Sequence, residues 1–369
     1  DPRMSYTQID NHERDSYEIR IQSNGDSGFQ WILGAFKESS TRDYEIAYLW
    51  PGSNPGNLSF GVSNGQWWNL DNTREEDVEA FFGEGSLSLN DKTKLTLGFR
   101  SYDQDTMVDA KDGYFGVFDG VEKVFNSNDS GVVPKVNIAH NINDDVMVYG
   151  TYSEGFRASG INRVRPAQTA FIPETYDSDY LESLEFGFKS TLADGKLIPN
   201  GAYFMMDWSD FQSTTFNLAY STVAFVDNVG NAEINGLELD ATYKPNDTLT
   251  LSGYMVSNDP SLSEDYYDVS GVLQANSGNR LAYVPELSYV LGLDKVLSIF
   301  GMPGYVSVDY SYTGDRYTSQ ANDLKLPSYA IANMRVGVES ANRSMEVFIS
   351  NLTDENGYQS RYNDFGDIR

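Results

Sequence analysis

Arginine beside an aromatic residue recurs in the glycine-rich and polar segments of this sequence. An arginine guanidinium donates charge-assisted hydrogen bonds to anionic groups, and a neighbouring ring offers a stacking surface. The stretch "VYGTYSEGFRASGINR" (148–163) begins like a strand and ends in Gly, Ser, Arg and Asn. We predict that such segments contact a ligand. The candidate residues are Phe156, Arg157, Asn162, Arg163, Arg165, Tyr266, Tyr267, Arg316, Tyr317, Arg361 and Tyr362.

Residues that carry catalysis or hold metal ions are scarce. The chain has no Cys and two His, His12 and His140, which lie far apart in the sequence. It contains no HExxH zinc motif and no glycine loop of the phosphate-binding type. We therefore expect neither an enzyme nor a resident metal or cofactor.

Two acidic stretches keep a cation-binding alternative open. The segment "DQDTMVDAKDG" (103–113) spaces four Asp residues as a calcium loop does, but it lacks the central Gly and the final Glu of an EF-hand. The segment 258–268 is similarly acidic. A solvated loop is the simpler interpretation of both stretches.

The charge and composition exclude some partners. The 369 residues include 54 acidic and 26 basic side chains, for a net charge of -28, so no nucleic-acid partner is expected. Aromatic residues make up 14% of the chain. No run approaches the roughly 20 apolar residues of a membrane-spanning helix. A transmembrane β-barrel remains compatible, because it spaces its apolar residues alternately and concentrates aromatics at the membrane interfaces.

Apolar and polar residues alternate along much of the chain. In "SLEFGFKSTL", Leu184, Phe186 and Phe188 fall on one face, and Glu185 and Lys189 fall on the other. Because successive strand side chains point to opposite faces, this pattern predicts strands with one apolar and one polar face. The same alternation occurs in 16–22, 94–100, 236–243, 305–312 and 344–350.

The connections between these strands alternate in length. Short connections have the Asn, Asp and Gly composition of hairpin turns. They are 23–28, 90–93, 141–145, 193–196, 244–247 and 340–344. Long polar segments separate them, at 43–73, 107–130, 158–178, 258–283, 315–327 and 353–369. This arrangement predicts about 15 strands of about 10 to 15 residues, with short turns at one end and long loops at the other.

Two architectures satisfy the alternation. In a soluble β-sandwich the apolar faces meet in a core. In a transmembrane barrel they meet lipid, while charged residues such as Glu238 and Asp240 line a wet lumen. The segregated loop lengths, the strand lengths and the aromatic content favour the barrel.

Several segments, taken in order, resemble the TonB-dependent outer-membrane receptor family. The stretch 148–163 resembles a family strand and loop entry, and "ESLEFGFKSTLADGKLIPNGAYFMMDWSDFQ" (182–212) resembles its most typical hairpin. Further similar segments are 16–36, 87–105, 228–254, 326–339 and 345–358. Together they cover most of the chain.

The resemblance implies an all-β fold, a transmembrane antiparallel β-barrel with short periplasmic turns and long extracellular loops. We expect residues 1–369 to form part of a barrel of about 22 strands. The family's plug domain, first strands and final strand are expected to lie outside this sequence.

The resemblance also implies a function. Such receptors import scarce ligands across the bacterial outer membrane, energised by the TonB complex through the plug. The implied ligand is a ferric siderophore or a similar metal chelate; haem, vitamin B12 and glycans are alternatives. Outer-membrane lipid and lipopolysaccharide are the expected surroundings. Two rivals remain: a secreted or surface β-sandwich or propeller that binds glycan, and a passive porin.

Overall fold

The computed structural model describes residues 5–25, 27–49, 66–114, 117–118, 123–162, 172–215 and 225–360. Within these ranges the secondary structure is entirely β. No helix in the described part of the chain is long and apolar enough to span a membrane.

The strands follow one another in chain order. They are β1 (Ser5–Gln22), β2 (Phe29–Leu49), β3 (Gln66–Asn90), β4 (Thr93–Tyr114), β5 (Val117–Phe118), β6 (Lys123–Asn143), β7 (Val146–Arg157), β8 (Gly160–Ile161), β9 (Thr175–Tyr176), β10 (Asp179–Ser190), β11 (Leu197–Ser209), β12 (Gln212–Thr215), β13 (Phe225–Asn228), β14 (Ala232–Asn246), β15 (Leu249–Leu262), β16 (Tyr266–Tyr267), β17 (Leu273–Ala275), β18 (Leu287–Ile299), β19 (Met302–Thr313), β20 (Arg316–Tyr317), β21 (Lys325–Leu326), β22 (Tyr329–Ser340) and β23 (Arg343–Ile349).

One large sheet takes most of these strands. Its order is β1-β2-β3-β4-β6-β7-β10-β11-β14-β15-β18-β19-β22-β23, and β5 pairs with β4. Each strand thus pairs with the next long strand of the chain, an up-and-down arrangement in which alternate connections lie at the same edge. Four two-stranded hairpins, β8–β9, β12–β13, β16–β17 and β20–β21, lie within the long connections. The all-β antiparallel fold predicted from the alternation is confirmed.

The six predicted short turns all connect neighbouring long strands. A seventh turn, Phe300–Gly301 between β18 and β19, was not predicted. Its residues have φ of +50° and +78°, the positive values of a tight hairpin turn. A bulky Phe is uncommon there, so composition gave no signal. Phe300 is 95% exposed.

Several strands are longer than predicted. The predicted loops 43–73 and 107–130 include the ends of β2 and β4 and the beginnings of β3 and β6. Strand pairing continues there because the backbone N–H and C=O groups of neighbouring strands form hydrogen bonds with each other even where the side chains on both faces are polar. Composition alone makes such stretches look like loops. A further long connection, residues 210–231, was not anticipated.

The register aligns apolar side chains across the sheet. Val306 pairs with Val336, which pairs with Val347, and Val308 pairs with Met334. The alternation predicts that ten apolar residues lie on the outward face, and none of the ten is buried. They are Leu184, Phe186, Phe188, Leu237, Leu239, Val306, Val308, Met345, Val347 and Ile349. No protein layer of this chain covers them in the described structure.

The opposite face carries polar side chains that bond between strands. Asn200 Nδ2 donates to Asp240 Oδ2 (2.9 Å), and Asn333 Nδ2 donates to Asp309 Oδ2 (2.6 Å). The Tyr149 hydroxyl donates to Glu185 Oε1 (2.6 Å). Polar groups on this face are therefore partnered within the sheet.

The chain divides into two compact units, each described by itself. The first comprises residues 1–85, 98–134 and 156–178, and the second comprises 86–97, 135–155 and 179–369. The buried apolar core of the second unit lies at the loop ends of its strands. Its members are Val229, Ala232, Leu262, Tyr266, Ala275 and Leu281.

Candidate ligand-binding site

Three long connections of the second unit are joined by hydrogen bonds, and we call them the loop cluster. They are residues 210–231, 263–286 and 314–328. Gln320 links all three: Nε2 donates to Ser213 Oγ (3.1 Å), and Oε1 accepts from Ala282 N (3.2 Å). Asn322 adds two bonds to the backbone of Arg280, each 2.8 Å. The loops therefore support one another.

Tyr317, one of the predicted site residues, lies beside two cations of this cluster. The guanidinium carbon of Arg280 is 5.4 Å from the ring centroid, and Lys325 Nζ is 5.6 Å from it. Asp315 joins both cations, at 3.1 Å from Arg280 Nη1 and 2.8 Å from Lys325 Nζ. Lys325 is exposed and Tyr317 half-buried, so part of this group meets solvent.

The ion pairs shift the titration of the groups that form them. The hydrogen bond from Lys325 lowers the pKa of Asp315, and the bond from Arg280 adds to this effect. The same contact with Asp315 raises the pKa of Lys325. Asp315 therefore stays anionic and Lys325 cationic at neutral pH. Arg280 adds a second positive charge and also pairs with Glu286, whose Oε1 lies 3.3 Å from Arg280 Nε, so the two cations of the group are matched by two carboxylates.

Tyr266 is buried in the core below these loops. It is 6% exposed, and its hydroxyl donates to Asp227 Oδ2 (2.6 Å). Burial, followed by this hydrogen bond, raises the pKa of Tyr266, and burial also raises the pKa of Asp227. Tyr266 therefore packs in the core on which the loop cluster rests. Contact between its side chain and a ligand stays a prediction.

Arg316 is also enclosed, at 5% exposure. Its Nη2 donates to the Tyr358 carbonyl oxygen (2.8 Å), and its guanidinium lies 5.5 Å from the centroid of the Tyr329 ring. Nη1 has no hydrogen-bond partner among the described residues. This nitrogen is buried, so a ligand would reach it only after neighbouring residues moved.

Tyr267 lies on the exposed hairpin β16–β17, with 54% of its surface accessible. The turn of this hairpin is built around Asp268. Its carboxylate accepts bonds from Ser270 N (2.9 Å), Ser270 Oγ (2.6 Å), Val272 N (3.0 Å) and Gln274 Nε2 (2.7 Å). The hairpin thereby holds Tyr267 at the surface in a defined position.

The first unit contains three of the predicted contacts. Phe156 stacks on Tyr102, with ring centroids 3.6 Å apart and planes within 8°. Arg157 beside it is exposed. Asn162 is buried and donates from Nδ2 to the Pro173 carbonyl oxygen (3.1 Å), closing the β8–β9 hairpin. Of these three side chains, Arg157 is the one open to solvent.

Four predicted contacts, Arg163, Arg165, Arg361 and Tyr362, lie outside the described residues. Within the described ranges no group of three or more His, Cys, Asp or Glu is arranged to hold a metal ion. The acidic stretch 103–113 lies in β4 and not in a loop, and Asn128 Nδ2 donates to Asp103 Oδ1 (3.2 Å) and to Asp105 Oδ1 (2.9 Å) there.

Comparison with known families decides the assignment. The family model described as "TonB dependent receptor-like, beta-barrel" matches residues 2–352. This chain belongs to the TonB-dependent receptor barrels. The receptor barrels are outer-membrane proteins, and the family is one of transport receptors rather than enzymes. The barrel is thus confirmed over the soluble sandwich.

Relatives of this receptor barrel are distant in sequence. The pesticin receptor of Yersinia pestis is 23% identical over 243 residues, which are 65% of this chain and 33% of that protein. Among solved structures, the ferric yersiniabactin uptake receptor FyuA of Yersinia pestis has a TM-score of 0.80 at 17% identity, covering 98% of this chain and 52% of that one. The siderophore receptor PiuA of Acinetobacter baumannii has a TM-score of 0.75 at 14% identity, covering 98% and 54%.

The chain therefore spans about half the length of the solved receptors that it matches. At these identities the structural likeness establishes the fold. The ligand of this receptor barrel has to be inferred from its own residues.

Sequence reasoning missed some residues of the loop cluster. Arg280, Asp315 and Lys325 were not singled out, although they lie in or beside loops expected to contact ligand. Arg280 has no aromatic residue beside it, and Asp315 and Lys325 are not arginines, so the pattern of arginine beside an aromatic residue did not select them. Their grouping arises from loop packing between segments about 40 residues apart, which the linear sequence does not display.

Proposed function

We propose that this chain is the barrel portion of an outer-membrane receptor that imports a ferric siderophore. The observation that carries the proposal is the placement of the Tyr317 ring beside both Arg280 and Lys325 on the loop side of the sheet. Membership of the receptor family and the siderophore receptors among its structural neighbours support the substrate class.

The chemistry of this group suits an anionic chelate. Lys325 offers a partly exposed ammonium group, and a hydrogen bond between charged partners is about twice as strong as a neutral one. The Tyr317 ring offers a surface for an aromatic chelating group. Arg280, which is mostly buried, also lies against this ring, 5.4 Å from its centroid, and shares Asp315 with Lys325. Of the two cations Lys325 is the more exposed, and a ligand anion would bind its ammonium group in competition with Asp315.

We further propose that import is driven by the TonB complex acting through a plug domain. In this arrangement the loop cluster supplies one half of the binding site and the plug supplies the other. The family to which the barrel belongs supports this view. A passive porin is the rival, and it would transport without an energy source.

The test uses the intact receptor in cells that depend on it for iron. Uptake of ⁵⁵Fe would be measured with phenolate, catecholate and hydroxamate siderophores as separate probes. Lys325→Ala and Tyr317→Ala should each weaken binding of the transported complex by about tenfold, because a charge-assisted bond or a stacked ring is lost. Deletion of TonB should abolish uptake.

Lys196→Ala is the matched control, since Lys196 is an exposed lysine in the short turn at the opposite end of the sheet. It should bind and transport as the unaltered receptor does. Unchanged affinity in both loop variants would remove this group from the site, and uptake that survives loss of TonB would favour a porin.

A further inference from the structure

Tyr283 is an exposed aromatic residue in a strained turn of the loop cluster. A hydrogen bond from Val284 N to the Leu281 carbonyl oxygen (3.4 Å) closes the turn, and Tyr283 is its third residue, with φ of +63°. Gly or Asn is the usual residue where the third position of a turn has positive φ, because a larger side chain crowds the backbone there. Tyr283 is 43% exposed, so it is not kept in this position as a core residue.

The other residues with positive φ in the described part of the chain have simpler explanations. Five of the eight non-glycine examples are Asn or Asp, whose short polar side chains tolerate this conformation. Ala193 lies beside Asp194 in a short turn, and Phe300 lies in the two-residue turn between β18 and β19, whose geometry requires positive φ. Tyr283 is instead an aromatic residue strained within a long connection, and strain of this kind indicates a functional role.

Hydrogen bonds to three other segments hold the backbone of this turn. Its successive N–H groups donate to the Pro260 carbonyl oxygen (3.1 Å, from Leu281), to Gln320 Oε1 (3.2 Å, from Ala282) and to the Tyr317 carbonyl oxygen (2.7 Å, from Tyr283). Leu281 is also 2% exposed and belongs to the buried core of the second unit. The backbone at Tyr283 therefore cannot relax to negative φ without breaking these contacts.

The hydrogen bond to Tyr317 places this turn beside the proposed ligand site. Tyr283 and Tyr317 are joined directly through their backbones, and Lys325 Nζ lies 5.6 Å from the centroid of the Tyr317 ring. Tyr283 and Lys325 are exposed, and Tyr317 is half-buried. The loop cluster thus presents two tyrosines and one ammonium group in the same part of its surface.

This combination suits chelates that carry aromatic rings. A phenolate or catecholate group offers a ring for stacked or edge-to-face contact with tyrosine, and it offers a negatively charged oxygen to the ammonium group. A hydroxamate group also offers oxygen atoms, but it has no aromatic ring. Contact with the Tyr283 ring would therefore separate the two classes of ferric chelate.

We propose that Tyr283 contacts the imported ferric chelate and selects aryl chelates, which carry phenolate or catecholate groups, over hydroxamates. This inference rests on the proposed function, because it names the substrate class of the same site. The strained turn holds Tyr283 in place before the ligand arrives, so that less ordering is needed on binding.

Equilibrium binding of ⁵⁵Fe complexes to the intact receptor in detergent tests this selection. The probes are a ferric tris-catecholate, a ferric phenolate chelate and a ferric tris-hydroxamate. Tyr283→Gly should weaken binding of the aryl chelate by about tenfold, because a ring contact is lost, and should change hydroxamate binding by less than about twofold.

The same variant should make the loop cluster more stable. Gly adopts positive φ without strain, so limited proteolysis of the cluster should slow by about two- to fivefold in Tyr283→Gly. Weaker ligand binding together with a more stable loop is the result expected of a residue kept for function. Faster proteolysis would overturn the proposal, because Tyr283 would then be a stabilising residue of the loop.

Phe300→Gly is the matched control, since Phe300 has φ of +50° and is 95% exposed in a short turn at the opposite edge of the sheet. It should relieve strain in the same way and leave the affinity for every probe unchanged. Tyr283→Phe keeps the ring and should bind aryl chelates within about twofold of the unaltered receptor.

The binding results separate this proposal from the proposed function. Unchanged affinity for aryl chelates in Tyr283→Gly would overturn the role of Tyr283, as would an equal loss for all three probes. If the unaltered receptor binds the hydroxamate complex and no aryl complex, the selection is wrong and siderophore import still stands. Binding of none of the three ferric complexes would contradict the proposed function itself.

Discussion

Asp227 of β13 is a half-buried carboxyl group in the loop cluster, and its titration links pH to the stability of that cluster. Because burial raises its pKa, the folded state binds the proton more tightly than the unfolded state. The stability that follows is fully present below the unfolded pKa and is lost as pH rises through the raised folded value. At neutral pH the ionised carboxylate therefore costs stability, although Tyr266 donates a hydrogen bond to it.

Asp227→Asn should remove this cost, because the amide oxygen can still accept the bond from Tyr266. We expect limited proteolysis within the loop cluster to slow by about two- to fivefold at pH 7, with little change between pH 4 and 7. The unaltered protein should become easier to cleave over the same rise in pH. The exposed Asp259→Asn should behave like the unaltered protein. A pH dependence that persists in Asp227→Asn would assign it to another group.

Strand β10 needs a glycine at position 187, because an aromatic ring fills the space that a side chain would take. The Tyr149 ring lies over it: a Cβ atom at Gly187 would come within 2.6 Å of the ring's Cζ and hydroxyl oxygen. The same arrangement places Phe204 over Gly236 and Tyr305 over Gly337. Aromatic rings thus cover glycines on the polar face, which shields the backbone and fixes neighbouring strands in register.

Gly187→Ala should displace Tyr149 and break its hydrogen bond to Glu185. Overpacking of this kind costs about 1–3 kcal/mol. The heat-modifiable gel transition should move to lower temperature. Gly253→Ala, where the nearest atom would be 3.5 Å away, is the matched control and should leave the transition in place. Equal transitions in the two variants would mean that the ring adjusts without loss.

The β16–β17 hairpin depends on a single carboxylate in its turn. Asp268→Ala removes the acceptor of four hydrogen bonds and leaves the donors of the turn unpartnered. We expect amide hydrogen exchange across 266–275 to accelerate by at least tenfold, because four hydrogen bonds worth about 0.5–1.5 kcal/mol each are lost. Exchange in β18 and β19 should stay unchanged. Uniform acceleration throughout the sheet would instead indicate global destabilisation.

The orientation of the whole sheet in the membrane can be tested at two adjacent residues. Leu291 and Val290 are exposed to similar extents, at 52% and 44%, but they lie on opposite faces. Leu291 pairs with Tyr310 on the apolar face, and Val290 pairs with Tyr254, next to Asp240, on the polar face.

Leu291→Arg should therefore place a charge in lipid, at about 2–4 kcal/mol near the midplane, and reduce the amount of assembled receptor. Val290→Arg should assemble normally, because its charge enters the polar side. The measurement is the yield of heat-modifiable protein in outer-membrane fractions. The opposite ranking of the two variants would reverse the assignment of the faces.

Much of the fold could be predicted because it repeats a local rule. Alternation in segments such as 182–192 predicts both the strand and which side chains share a face. Asn, Asp and Gly in segments such as 193–196 predict the short turns. The Phe300–Gly301 turn and the β12–β13 hairpin lacked these signals. The site was less accessible to prediction, since Arg316 and Tyr266 carry the expected residue types yet lie buried. Burial of loop side chains depends on packing between connections, which no local pattern encodes.

Gln320 links connections that lie far apart in the chain, so the loops of such a receptor cannot change independently of one another. A loop that stands alone can be replaced without regard to the others. Here the loop containing Ser213 and the loop containing Ala282 both bond to the side chain of the third. Exchanging one of them with a related receptor would leave mismatched partners in the remaining two. New ligand preferences should therefore be inherited, or engineered, as a block of three connections transferred together.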